Sequence, residues 1–173
     1  MNTSLHTELL STPKNMVGEM IVSPTGMVKV LAPHRYHDGD SRLVAHALKT
    51  NDATAVQQAA EAMLSIIRSL DNVALVPVPS HLGYATYTLE LARAIGVGQV
   101  FDVLRGKQRE TLYAQKKRGE TPSSSTLGFY AIGSIPEDMN IVYLDNVVAT
   151  GTTAKAAYEA IGRGLMVAYA IDC

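Results

Sequence analysis

Three stretches of this chain are apolar almost without interruption: Val73-Ala74-Leu75-Val76-Pro77-Val78, Ile141-Val142-Tyr143-Leu144 and Leu165–Ile171. A strand with one wet face alternates apolar and polar residues. A strand that does not alternate is covered on both faces, as parallel strands are inside an α/β sheet. Between these runs the period changes. Val56, Ala59, Ala60, Met63, Leu64, Ile67 and Leu70 recur at helical spacing and predict a helix over 54–70. Leu89, Leu91, Ala92 and Ile95 predict one over 84–95, and an Ala-rich helix is expected over 152–162. Shorter strands are expected over 99–104 and 127–132, with a turn at Pro136-Glu137-Asp138. Strand and helix in alternation imply a mostly parallel sheet with right-handed crossovers.

The first part of the chain reads differently. Residues 1–18 have no clear period and are expected to be a loose or partner-dependent arm. Two short apolar runs around Pro24-Thr25-Gly26 predict a hairpin, 32–40 a loop, and Asp40-Ser41 the cap of a helix over 42–48. At 173 residues the chain is expected to be a single domain, with 1–50 forming a small N-terminal hood and 71–173 the core.

Composition removes several function classes. A net charge of -1 provides no global attraction to nucleic acid or anionic lipid, so a phosphorylated ligand must be held by local charge. One cysteine, Cys173, excludes an internal disulfide and a thiolate zinc cluster. No segment reaches the roughly 18–20 apolar residues that span a bilayer, so no membrane partner is expected and a cytoplasmic location is the default.

The sharpest local feature is Ile141-Val142-Tyr143-Leu144-Asp145-Asn146-Val147-Val148-Ala149-Thr150-Gly151-Thr152-Thr153. An apolar strand is expected to carry Asp145 to its carboxyl end, where open α/β sheets bind ligands. Small residues then lead into a helix, whose first N–H groups are unpaired. Thr150, Thr152 and Thr153 add hydroxyl donors. Such a loop suits a phosphate monoester, and the acid ahead of it can accept from vicinal sugar hydroxyls. A Thr/Gly loop alone is also an ordinary turn and helix cap.

The segment resembles the 5-phosphoribosyl-1-pyrophosphate (PRPP) motif of the type I phosphoribosyltransferases: hydrophobic residues, two acids, two hydrophobics, then a Thr/Gly-rich loop. The resemblance implies a phosphoribosyltransferase-like parallel sheet with a hood and a flexible basic loop. It also implies that Ala149, Thr150, Gly151, Thr152 and Thr153 bind the 5'-phosphate. Asp145 and Asn146 would then hold the ribose hydroxyls, Asp145 directly or through water on Mg2+. Two positions depart from the family: Asn146 replaces the second acid, and Ala149 stands where purine-specific members carry an aspartate.

Pro79-Ser80-His81-Leu82-Gly83 follows the first core strand. In the family this loop binds pyrophosphate, which makes Ser80, His81 and Gly83 candidates; an ordinary βα turn is the alternative. The run Val-Pro-Val-Pro-x-His is similar to the ComF-type (competence-associated) branch. Its usual cysteine-rich zinc ribbon has no counterpart here, so the likeness covers 28–173. Six of the 15 Lys and Arg lie between Arg105 and Arg118, within a stretch, 105–125, expected to be a long exposed loop. In the family a basic flap follows the second core strand and closes over PRPP, which nominates Lys107, Arg109 and Lys117 to meet the departing pyrophosphate. A solvated charged loop, or a nucleic-acid patch with Tyr113 for stacking, uses the same residues otherwise. His34, His37, Asp38 and Asp40 read as polar turn residues in preference to a metal site.

The resemblance therefore implies a magnesium-dependent phosphoribosyltransferase acting on PRPP and a nitrogenous base, with a homodimer as the expected assembly. A non-catalytic PRPP or nucleotide sensor and a nucleic-acid-associated accessory protein stay open beside it.

Overall fold

The computed structural model describes residues 16–23 and 26–172. The expectations for 1–15, for the turn at Pro24-Thr25 and for Cys173 lie outside the described residues. The chain opens with β1 (Val17–Ser23) and β2 (Gly26–Ala32), then β3 (His34–Arg35), α1 (Ser41–Leu48) and α2 (Ala53–Ile67). The core follows as β4 (Val73–Pro77), α3 (Tyr87–Ile95) and β5 (Gln99–Val100). Next come β6 (Leu104–Arg105), α4 (Leu112–Lys117), α5 (Ser124–Leu127) and β7 (Tyr130–Ala131). The last elements are β8 (Asn140–Val148), α6 (Thr152–Ile161) and β9 (Leu165–Ile171).

The main sheet runs β1-β2-β9-β8-β4-β5, with β3 also on β9. Every pairing in it is parallel except the β1–β2 hairpin, whose register brings Ser23 opposite Gly26. The molecule is thus α/β, a mostly parallel sheet flanked by helices.

The unbroken apolar runs have the expected cause. Val142, Leu144, Leu75 and Val167 pack beneath α1, α2 and α3 with Met63, Ile67 and Leu91. Ile141, Tyr143, Val76 and Met166 face the opposite way, toward Ala154 and Ala157 of α6. Each large side chain buried this way is worth about 1.5–3 kcal/mol. Tyr143 is fully buried, and its hydroxyl donates to the carbonyl of Arg163 at 2.6 Å. Burial holds that phenol well above its ordinary range.

Several boundaries differ from the sequence reading. Helix α2 ends at Ile67 because the amides of Ser69 and Leu70 bond three residues back, tightening the chain before Asn72 turns with φ of 48°. Helix α3 starts at Tyr87 instead of 84, since Ser80 and Tyr84 close a separate turn, N–H to O 2.9 Å. The single strand expected over 99–104 is two. β5 pairs with β4, and the Asp102–Arg105 ion pair at 3.0 Å precedes a departure of β6 to an antiparallel pairing with β7.

The expected structureless loop over 105–125 contains α4, capped by Thr111, which accepts from the Ala114 amide at 3.2 Å. The expected strand over 127–132 shrinks to Tyr130–Ala131, because a capping box at Ser123 and Thr126 makes 124–127 helical until Gly128 ends it with φ of 58°. Likewise the expected loop over 32–40 includes β3 and the last residue of β2, and Val17 and Gly18, expected in the loose arm, belong to β1 because they pair with Ala32 and Leu31. No helix among the described residues is long and apolar enough to cross a membrane.

Candidate functional site

β4 and β8 are neighbours, and their carboxyl ends open into a cleft of about 470 Å³. The loop after β4, the end of β8 with the start of α6, the first residue of α3 and the segment around α4 all line it. Lys49, just past α1, lines it too.

Asp145 does not stand at the end of its strand, contrary to the sequence reading. β8 continues to Val148, pairing Asp145 with Ala168, because Val147 and Val148 are apolar enough to go on between covered faces. Asp145 is therefore buried, 5% exposed. Burial pushes its carboxyl up to about 6, against the Asn146 amide (2.8 Å) and the nearby Lys49, Arg109 and Tyr87. At neutral pH it is a largely ionised carboxylate that accepts from the Asn146 amide and lines the cleft.

That burial sets a pH dependence. The unfolded chain releases the proton near pH 4, while the native protein keeps it to about 6. Native protein binds the extra proton between those limits, so stability falls as pH rises through them, by about 3 kcal/mol at most. Asp145→Asn is expected to remove this component. Urea unfolding at pH 4 and 6.5 should show a smaller decline for the variant than for the wild type; equal declines would contradict the assignment.

Asn146 is 4% exposed, and both ends of its amide are engaged. Nδ2 donates to the carbonyl of Ala45 in α1 at 3.2 Å, and Oδ1 accepts from the Tyr87 hydroxyl at 3.1 Å. The residue braces β8 against α1 and α3, and it also lines the cleft. Tyr87 has its phenol pushed up by burial and then by Asp145, so it remains a donor.

Ala149, Thr150, Gly151, Thr152 and Thr153 all line the cleft. Gly151 has φ of 78°, and a Cβ on it would lie 2.6 Å from Ile21 Cδ1. The first intrahelical bond of α6 runs from Lys155 N to Gly151 O at 2.9 Å, leaving the earlier amides of the helix open to an acceptor in front of them. The Thr150 and Thr152 hydroxyls are 2.9 Å apart.

Ser80 and His81 line the cleft as well, whereas Gly83 does not. With φ of 91°, Gly83 lets its carbonyl accept from Gly106 N at 2.9 Å; a Cβ there would be 2.5 Å from Gly106 O. Arg109 N likewise donates to His81 O at 2.9 Å. The root of the basic segment is thereby tied to the loop after β4, and the Arg109 side chain enters the cleft. Its Nε is buried without a partner, and burial lowers its pKa while Asp145 and Tyr87 support the charge.

The other two basic nominees lie elsewhere. Lys107 lies across Gly128, and Lys117 does not line the cleft, whereas its neighbour Lys116 does. Arg105 pairs with Asp102 at 3.0 Å, and Arg118 pairs with Glu110 and Glu120. The basic run is partly self-neutralised. At the hood, His37 pairs with Asp172 at 3.1 Å and the His34 ring tilts against Tyr169.

Sequence reasoning missed Lys49, Tyr87 and Lys116. Lys49 had no signal beyond being a lysine, Lys116 lies in the basic run without being singled out, and Tyr87 opens a periodic helix that the sequence reading begins three residues too early. Among the described residues no three His, Cys, Asp or Glu side chains converge. Asp145 is a single carboxylate flanked by cations, a donor set too thin for a bare divalent ion. It fits a Mg2+ that brings phosphate oxygens as most of its ligands. No protein-family model matches the sequence, and a search of curated proteins yields no significant match.

Proposed function

We propose that the cleft binds PRPP and that the protein is a type I phosphoribosyltransferase-like enzyme passing the phosphoribosyl group to a nitrogenous acceptor. The supporting observation is one juxtaposition. A buried carboxylate, a helix-entry loop of small residues and an arginine with a buried unpartnered Nε share one cleft at the carboxyl ends of parallel strands.

In this reading residues 149–153 take the 5'-phosphate, Asp145 takes the ribose diol, and Ser80, His81, Arg109 and Lys116 take the pyrophosphate. Bound Mg2+ would neutralise the leaving group, with Asp145 the protein group nearest to hold it. The acceptor nitrogen forms a bond to C1 as the C1–O bond breaks; the electron pair leaves with pyrophosphate, and any N–H proton passes to water. Positioning and charge stabilisation carry such a reaction.

Calorimetry with PRPP and magnesium tests binding, and pyrophosphate release over a panel of bases tests turnover. Arg109→Met is expected to weaken PRPP binding about tenfold or more, the cost of one charge-assisted contact. Undiminished affinity would remove Arg109 from the site. The engaged amide of Asn146 favours a second reading, a PRPP sensor, which predicts binding with no release under any acceptor.

A further inference from the structure

Lys49 is the cation that the reading above leaves without a task. Three cationic side chains line the cleft, Lys49, Arg109 and Lys116, against the single carboxylate of Asp145. Arg109 and Lys116 arrive together from the segment around α4, whereas Lys49 arrives from the hood, as the residue that caps α1. Outside the cleft, Arg105 and Arg118 find carboxylates within their own segment. Lys49 has no such pair among the described residues, and the charge it feels in the cleft is Asp145.

Once a phosphate occupies the helix-entry loop and a pyrophosphate meets Arg109 and Lys116, one cation from a separate element still lines the cleft beside Asp145. The cleft has no second carboxylate to receive N–H groups from a neutral ring. An ammonium is a compact charge with rotatable donors, suited to one carboxylate oxygen at a time. Leu82 and Tyr113, exposed apolar side chains on the same cleft, offer cover for a flat ring.

We infer that Lys49 selects the acceptor, and that the acceptor is a nitrogen heterocycle carrying a carboxylate, which pairs with the Lys49 ammonium. This inference rests on the phosphoribosyl reading of the cleft.

The test uses matched pairs that differ by a negative charge: uracil-6-carboxylate against uracil, and pyridine-3-carboxylate against pyridine-3-carboxamide. Pyrophosphate release is followed with PRPP and magnesium in excess. Equilibrium dialysis of the same compounds, with ribose 5-phosphate and magnesium pyrophosphate present, reports affinity without turnover. For at least one pair the carboxylated member should be preferred about tenfold, the factor one charge-assisted contact provides. Lys49→Met should bring the ratio below about twofold and Lys49→Arg should keep it, since the charge remains. Lys116→Met should weaken PRPP and leave the ratio standing.

Equal or reversed preference in the wild type, retention of neither member of either pair, or an unchanged ratio in Lys49→Met would each overturn the inference while PRPP binding stands. Failure of PRPP itself to bind would instead overturn the reading beneath it.

Discussion

Gly151→Val is expected to abolish measurable PRPP binding and to destabilise the protein by about 3 kcal/mol or more. Two independent costs coincide at this position. A β-branched residue at φ of 78° is strained, and its Cβ would collide with Ile21, whose Cδ1 is 2.6 Å from that point. Relief requires the turn to move, and the turn presents the amides assigned to the 5'-phosphate. Thermal unfolding and calorimetry with PRPP separate the two losses. Because the valine variant could fail to fold, Gly151→Ala in an Ile21→Ala background serves as the gentler version: it removes the collision and keeps the backbone strain. That double variant should fold and still bind PRPP at least about tenfold more weakly, which corresponds to 1.4 kcal/mol. Wild-type affinity in it would show that residues 149–153 do not hold the phosphate.

The second large effect concerns Asn146, where restoring the acid of the resembled family ought to do harm. Asn146→Asp discards the donor that meets Ala45 O at 3.2 Å and puts a carboxylate against that carbonyl, one residue from Asp145. A buried charge left facing an acceptor costs about 3 kcal/mol, and a neighbouring carboxylate raises the price of ionising either one. The variant should therefore be less stable than wild type at pH 7 and recover much of the difference at pH 5, where the new group can hold a proton. Urea midpoints at the two pH values measure this. A variant as stable as wild type at pH 7, with tighter PRPP binding, would mean that the side chain at 146 serves the ligand and not the bracing of β8.

What could be read without coordinates was whatever a repeating pattern announces. The doubly covered strands, the hairpin over 17–32 and the long helix at 53–67 declare themselves by period, and β9 matched to the residue. Helix α4 did not, since six residues show no period and its stability comes from the Thr111 cap and from Gln115, whose amide donates to Glu110 O at 2.9 Å. The helical turn at 124–127 was hidden for the same reason. In the cleft, Asp145, Asn146 and residues 149–153, close in sequence, are legible together because one strand–loop–helix delivers them. Lys49 and Lys116 come from distant segments, and only the packing of α1 and the folding of the basic segment bring them near. Charge counting over 105–118 also overstated the positive field, because Asp102, Glu110 and Glu120 sit just where the arginines can reach them.

The docking of Gly106 and Arg109 onto the turn after β4 gives the basic segment an anchored stem. A cover hinged at its whole length would have to reorder some twenty residues at every encounter, whereas here the stem is already in place and carries its arginine with it. The guanidinium therefore stands in the cleft before any ligand arrives, and the cost of ordering it falls on folding and not on each encounter.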